Sequence, residues 1–244
     1  MPEDLKTLSD AELAYWARHL EHSRPQDILE WAVDTFGHDV SLASSFGAED
    51  MCLIDMLSRV TRSPRVFYLD TGVLFPETYA LIERTRERYG FTAERVLPRL
   101  TLEQQAEHYG DALWAREPDT CCGIRKVEPL TRYLAGVSAW ITGIRRDQTP
   151  FRASAQVVED DAKFSVVKVN PLVRWTSDQV WQYIREHDVP YNPLHDQGYP
   201  SIGCVPCTRS VKPGEDPRAG RWAGLDKTEC GLHADGDPED HERP

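Results

Sequence analysis

The chain is predicted to fold as an α/β protein built on a doubly wound, mainly parallel sheet, on three observations. Short β-prone apolar runs alternate with helical stretches. Three of those runs end in small-residue turns, at SSFG, DTG and TGIR. The 244 residues suffice for one such domain with a functional tail. Taking the elements in order, Ser9 and Glu12 make an S-x-x-E capping pattern, so a first helix runs from there to about His22. Pro25 suits the first turn of a second helix, and Gly37 suits its C-terminal cap. Residues 39–44 (DVSLAS) read as the first core strand, 45–47 as a turn and 48–60 as a helix. Residues 65–69 (RVFYL) are a second strand, closed by Asp70-Thr71-Gly72. Pro76 opens a helix to about Gly90, and a strand near 93–97 and a helix over 102–109 continue the alternation. The stretch 122–134 reads as helix, 139–142 as strand, 156–158 and 164–169 as β-rich, and 176–187 as helix. From about Val189 onward Pro and Gly become dense and periodicity fades. The polar end, 235–244, is expected to be disordered.

Charge narrows the function. Lys and Arg number 28 against 40 Asp and Glu, a formal charge of −12, which argues against nucleic acid or an anionic membrane as partner. A local cluster of Arg and Lys can still hold a small anion. No apolar run approaches the roughly 18 residues that span a bilayer. The start, Met-Pro-Glu-Asp-Leu-Lys, lacks the plan of a signal peptide, so a cytoplasmic location is expected. In a reducing cytosol the six cysteines point to metal binding or catalysis before structural disulfides.

Three strand ends are friendly to anions. In Ser44-Ser45-Phe46-Gly47-Ala48-Glu49-Asp50 the residues Ser44, Ser45 and Gly47 let backbone N–H groups approach a phosphate or sulfate at a helix start, though an ordinary Ser-capped turn reads equally well. No G-x-x-x-x-G-K-[ST] loop occurs. Asp70, Thr71 and Gly72 end the next strand, at the edge where α/β sheets collect ligands, and Asp70 could meet a ribose or a cation. Arg145 and Arg146 follow Gly143, and their planar guanidinium groups suit sulfate or phosphate oxygens. Each alone could be structural; three in one sheet favour a nucleotide.

The cysteines are the sharpest signal. Cys121-Cys122 at a helix start and Cys204-Val205-Pro206-Cys207 in a turn supply four thiols. These fit an iron–sulfur cluster, then zinc, with a redox disulfide at Cys204 and Cys207 third, because adjacent cysteines suit a cluster with separate irons. Cys52 sits in an apolar helical pattern and reads as a core thiol. Cys230, in Glu229-Cys230-Gly231-Leu232-His233, lies on a Gly-containing tail beside a histidine, as a reactive thiol would. Arg218 and Arg221 precede it in a loop suited to an anion.

Together SSFGAED, LDTG-x-x-FPET, CC-x-x-RKVEPL, TGIRRDQ, GC-x-x-C and ECGLH, in order over about residues 40–233, resemble the assimilatory adenylyl-sulfate reductases. These form the iron–sulfur branch of the phosphoadenylyl-sulfate reductase family. The resemblance implies an adenine-nucleotide α-hydrolase-like (Rossmann-like) fold. It implies N-terminal helices over 1–38, a nucleotide-binding α/β domain over 39–188 with the Cys-Cys pair, and a segment over 189–244 with the C-x-x-C and a catalytic tail. It further implies a [4Fe-4S] cluster on Cys121, Cys122, Cys204 and Cys207, and Cys230 as the catalytic cysteine. Lys126 matches the lysine between cluster and substrate, and Arg145, Arg218, Arg221 and His233 match substrate-contacting positions. The implied reaction is thioredoxin-dependent (or glutaredoxin-like) reduction of adenosine 5′-phosphosulfate to sulfite and AMP in sulfate assimilation, through an S-sulfocysteine on Cys230. Self-association is also implied, as in other members. Phe46 replaces a glycine of the ATP pyrophosphatase cousins, which speaks against ATP chemistry. The rival readings are a reductase of the 3′-phosphorylated substrate or of both, and a zinc-stabilised nucleotide-binding redox module.

Overall fold

The computed structural model describes residues 6–225, 227 and 229–233. The polar end expected over 235–244 lies outside the described residues. Six strands form one sheet: β1 (Val40–Ala43), β2 (Val66–Leu69), β3 (Glu94–Val96), β4 (Ala139–Ile141), β5 (Val158–Asp161) and β6 (Val166–Val169), in spatial order β3-β2-β1-β4-β6-β5. All neighbours run parallel except the β5–β6 hairpin pair. The chain steps outward from β1 through β2 and β3, then returns to the other side of β1 as β4. The order therefore reverses between β1 and β4, and the loops leaving those strands part to open a crevice there.

Helices α1 (Asp10–Leu20), α2 (Pro25–Phe36), α3 (Ala48–Val60), α4 (Pro76–Tyr89) and α5 (Leu102–Tyr109) follow in order. After them come the short α6 (Leu113–Arg116) and α7 (Pro118–Cys122), then α8 (Glu128–Leu134) and α9 (Ser177–Glu186). Local chemistry sets their ends. Ser9, Thr101 and Thr176 each close a capping box with the residue three on, Gly37 caps α2 at φ 57°, and Gly90 caps α4 at φ 71°. The stretch expected as helix over 122–134 is helical along its whole length, with one irregularity. Its middle, Gly123–Val127, is a π-helical turn between α7 and α8, a local widening that periodicity does not reveal.

Strand alternation sorts the core into two faces. Val40 and Leu42 of β1, Ala139 and Ile141 of β4, and Val167 and Val169 of β6 pack with α2, α3 and α9 in the larger cluster. Phe67 of β2 and Trp140 of β4 point the other way and meet Leu130 and Leu134 of α8. Cys52 is fully buried in the larger cluster, its thiol 3.7 Å from the Val180 carbonyl, as a core thiol should be. Among the described residues no helix is long and apolar enough to cross a membrane.

Candidate functional site

The crevice between β1 and β4 is a cleft of about 730 Å³, floored by the loops that leave those strands. Ser44 and Ser45 shape the β1 loop from within. Ser44 Oγ accepts from Phe46 N at 3.0 Å, and Asp50 Oδ2 accepts from Ser45 N at 2.6 Å and Ser45 Oγ at 2.7 Å. Phe46 takes φ 58°, the left-handed region that a glycine enters freely. That backbone costs a side chain about 1–2 kcal/mol. Burying a phenylalanine ring returns about 1.5–3 kcal/mol. The ring is 2% exposed and meets Tyr68 edge-on, so burial wins and the loop keeps its Phe. Burial pushes Asp50 up to about 6, against the Ser45 hydrogen bonds that pull it down. Gly143 of the β4 loop lies against Asp50 so closely that a Cβ there would overlap the carboxylate.

Ser44, Ser45, Gly47, Asp50, Thr71, Lys126, Arg145, Arg218, Arg221, Cys230 and His233 all line this cleft. Asp70 and Gly72 do not. Asp70 is fully buried, accepting from Gly72 N at 2.8 Å, Tyr79 Oη at 2.7 Å and Arg95 Nε at 2.6 Å, so it ties the strand end instead of facing a ribose. The two arginines after Gly143 also part company. Arg145 lines the cleft and pairs with Glu49 at 3.0 Å, whereas Arg146 turns outward to grip Glu21 through both its terminal nitrogens at 2.5 and 3.0 Å. Of the two, only Arg145, the one the resemblance marks as substrate-contacting, lines the cleft.

Behind the cleft lies a second, much smaller cavity of about 20 Å³. Cys121, Cys122, Cys204 and Cys207 all line it, from α7 and from the turn after Gly203. Burial, reinforced by neighbouring thiols, pushes Cys121 and Cys207 up to about 11. Cys122 also rises to about 11, through burial partly offset by Lys126. Four converging soft donors of this kind fit a thiolate-bound metal group, whose positive charge relieves that repulsion. Among the described residues no set of three or more His, Cys, Asp or Glu stands arranged for a single metal ion. Buried Arg125 braces the wall, donating to the Thr71 carbonyl at 2.5 Å and to Gln105 at 3.0 Å.

Lys126 and Trp222 line both chambers. Lys126 rides on the π turn, and although burial disfavours its charge, Cys204, Cys230 and Cys122 raise its basicity overall. Trp222 holds φ 47°, its amide donating to the Cys207 carbonyl at 3.0 Å and its ring lying under Arg221.

Glu229, Cys230, Leu232 and His233 of the tail line the cleft. Burial pushes the Cys230 thiol up, but Lys126, the Leu232 amide and Arg221 outweigh it, and the thiol ends below its ordinary value despite Glu229. His233 stacks on Trp140 with ring centroids 5.5 Å apart. Burial first, then Arg152, Lys168, Arg218 and Lys163, hold it well below its ordinary value, so the ring is neutral. Its Nδ1 is buried without a hydrogen-bond partner among the described residues. Sequence reasoning missed Arg152 and Trp222, which carry no motif and enter the site only through folding, and passed over Gln148, the last residue of TGIRRDQ.

The comparisons agree with this architecture. Residues 39–210 match the phosphoadenosine phosphosulfate reductase domain. The chain is 53% identical over 209 residues to the adenosine 5′-phosphosulfate reductase of Shouchella clausii (strain KSM-K16), covering 85% of this chain and 87% of that one. It is 46% identical to the adenosine 5′-phosphosulfate reductase of Salinibacter ruber (strain DSM 13855 / M31), covering 98% and 95%. Among solved structures it resembles the phosphoadenylyl-sulfate reductase of Candida auris in its phosphate complex, at TM-score 0.75 and 33% identity, over 85% of this chain and all of that one. A FMN adenylyltransferase of Candida glabrata shares the fold alone, at TM-score 0.54 and 19% identity, over 83% of this chain and 65% of that one. With its reversed sheet order, a cleft at the reversal and relatives matched along most of their length, the chain belongs to the phosphoadenosine phosphosulfate reductase family.

Proposed function

We propose that the protein reduces adenosine 5′-phosphosulfate to sulfite and AMP for sulfate assimilation, with Cys230 as the reacting thiol. The observation that carries this reading is the placement of Cys230 in the wall of a nucleotide-sized cleft beside Lys126, Arg218 and Arg221. Relatives that share about half of the sequence bear the name of this activity.

The substrate is a nucleoside monophosphate joined to sulfate, so the site must hold a flat aromatic base and a doubly anionic end. The β1 loop and the end of β2 offer small side chains and apolar walls to the nucleoside. Arg145, Arg218, Arg221 and Lys126 supply the cationic side for the phosphosulfate. Cys230 Sγ, as thiolate, attacks the sulfur of the sulfate group. The S–Sγ bond forms while the S–O bond to the phosphate breaks, and the electron pair leaves with AMP. The arginines bind the developing phosphate charge and assist that departure. His233, held neutral, keeps its ring against Trp140 in the wall of the cleft, with its buried Nδ1 free to meet the substrate. The second half needs a dithiol donor of the thioredoxin class. One thiolate attacks Cys230 Sγ, sulfite leaves with the bonding pair, and the second thiol resolves the mixed disulfide to free Cys230.

The four cysteines that line the small cavity would hold a [4Fe-4S] cluster. Such a cluster, when bound, supplies a fixed local charge that strengthens the field at the substrate. Lys126, touching both chambers, binds the substrate's anionic end from that side.

The test is Cys230→Ser with the unphosphorylated substrate. The variant should bind AMP as the parent does, release no sulfite and carry no added SO₃ mass on the tail peptide. Turnover by the serine variant at the parent rate would sink the assignment.

A further inference from the structure

The residue before the reacting thiol is an acid seated among cations. The side chain of Glu229 is 12% exposed. Its Oε1 accepts from Arg152 Nε at 3.2 Å and its Oε2 from Arg152 Nη2 at 2.9 Å, and Arg218 Nη2 stands 3.3 Å from Oε2. Two guanidinium groups on one carboxylate, with little solvent around them, form a strong and directional tie. Arg152 is itself fixed. Its Nη1 donates to Gln148 Oε1 at 2.5 Å, Gln148 Nε2 donates to Glu49 Oε1 at 3.1 Å, and the same oxygen accepts from Arg145 Nε at 3.0 Å. The tie therefore runs from the tail into both loops that floor the cleft.

A carboxylate next to a thiolate opposes its charge, so Glu229 does not serve to activate Cys230. Its geometry serves placement instead. On the far side of Cys230, Lys163 Nζ holds the Gly231 carbonyl at 2.6 Å and Leu232 packs on the second core cluster. We infer that Glu229 is a positioning residue, which with Arg152 and Arg218 latches the tail across the cleft and sets Cys230 beside Lys126. The inference rests on the reading of Cys230 as the reacting thiol.

The experiment compares anaerobically prepared full-length protein with Glu229→Gln, Arg152→Gln and the double variant. Without substrate, iodoacetamide labelling of Cys230 is followed by peptide mass spectrometry, with Cys52, which is fully buried, as the internal record of unfolding. Each single variant is expected to label Cys230 about tenfold faster, the factor a charge-assisted pair of this kind carries. The double variant should go no faster than either single one, because the partners act as one tie. With adenosine 5′-phosphosulfate, kcat should fall by about tenfold in Glu229→Gln while KM stays within about twofold, since the tail acts after the nucleotide is seated. Parent-like labelling in Glu229→Gln, multiplying effects in the double variant, or Cys52 labelling in step with Cys230 in both single variants overturns the latch. A parent protein that does not turn over this substrate overturns the proposed reaction instead, and the labelling comparison still decides the latch.

Discussion

Thr71 Oγ1 lies 3.3 Å from the sulfur of Cys204, so the wall of the nucleotide cleft and the wall of the cysteine cavity share a hydrogen bond. Both residues are buried. On the proposed reading of Cys204 as a cluster ligand, the Thr71 hydroxyl steadies that sulfur and tunes the group it would hold. Thr71→Val keeps the shape and removes the bond. The variant should lose iron to a chelator about tenfold faster than the parent, with its thermal midpoint nearly unchanged. Equal rates of iron loss would show that the contact does not support the metal group.

Gly143→Ala is expected to damage nucleotide binding through the floor of the cleft. The new Cβ meets the Asp50 carboxylate and lies 3.1 Å from Glu49 Cβ, so the β1 and β4 loops must separate. Overpacking of this kind costs about 1–3 kcal/mol. Calorimetric titration with AMP should show weakened binding, alongside a lowered melting temperature.

Arg145 and Arg146 should behave differently despite being neighbours. Arg146→Gln breaks the two-pronged grip on Glu21 and is expected to cost about 0.5–1 kcal/mol of stability, because both side chains are about a third exposed. Its AMP affinity should match the parent's. Arg145→Gln should instead weaken AMP binding by about tenfold, the loss of one charge-assisted contact. Thermal melts and titrations on the same preparations separate the two.

The seated tail should loosen in acid. His233 in its seat is kept neutral by burial and by Arg152, Lys168, Arg218 and Lys163, with Glu229 the acid in the same tail. Once released, it titrates near its free value of about 6.5. Below that pH only the released form gains a proton, so the seat is at full strength above about 6.5 and weakens by up to tenfold per pH unit below it. Hydrogen exchange of the peptide holding residues 229–233, corrected for intrinsic rate, should accelerate between about pH 7 and 5.5. His233→Gln should flatten that response.

Much of this was legible in the sequence, and the reasons differ by element. Ser9, Pro25, Gly37, Pro76 and Gly90 mark helix ends because capping is local chemistry, and the observed ends fall within two residues of those marks. Strands β1, β2, β4 and β6 were legible as short apolar runs, although DVSLAS and RVFYL each lose a residue or two at the edges to the loops. Strand β5 instead forms over Val158–Asp161 (VEDD) and not over 156–158, because pairing with β6 and not an apolar run defines it. What resisted was contact across the chain. Arg146 meets Glu21 125 positions away and Arg152 meets Glu229 77 away, and no spacing rule reaches that far. Asp70 reads as a ligand-facing turn residue until Tyr79 and Arg95 fold over it. Within CCGIRKVEPL the apolar pattern suits an α turn and a π turn alike, so only the backbone reveals the difference.

That π turn acts as an indexing step between two parts of one helical rod. Each residue added to or removed from a helix rotates everything beyond it by about 100°. The widened turn lets α8 present Leu130 and Leu134 to the sheet while α7, one turn earlier, presents Cys121 and Cys122 to the small cavity. Deleting a single residue within 123–127 would leave a more regular helix and a sound core. It would also turn the cysteine pair away from Cys204 and Cys207. The irregular turn is thus the part of the backbone on which the meeting of the four thiols depends.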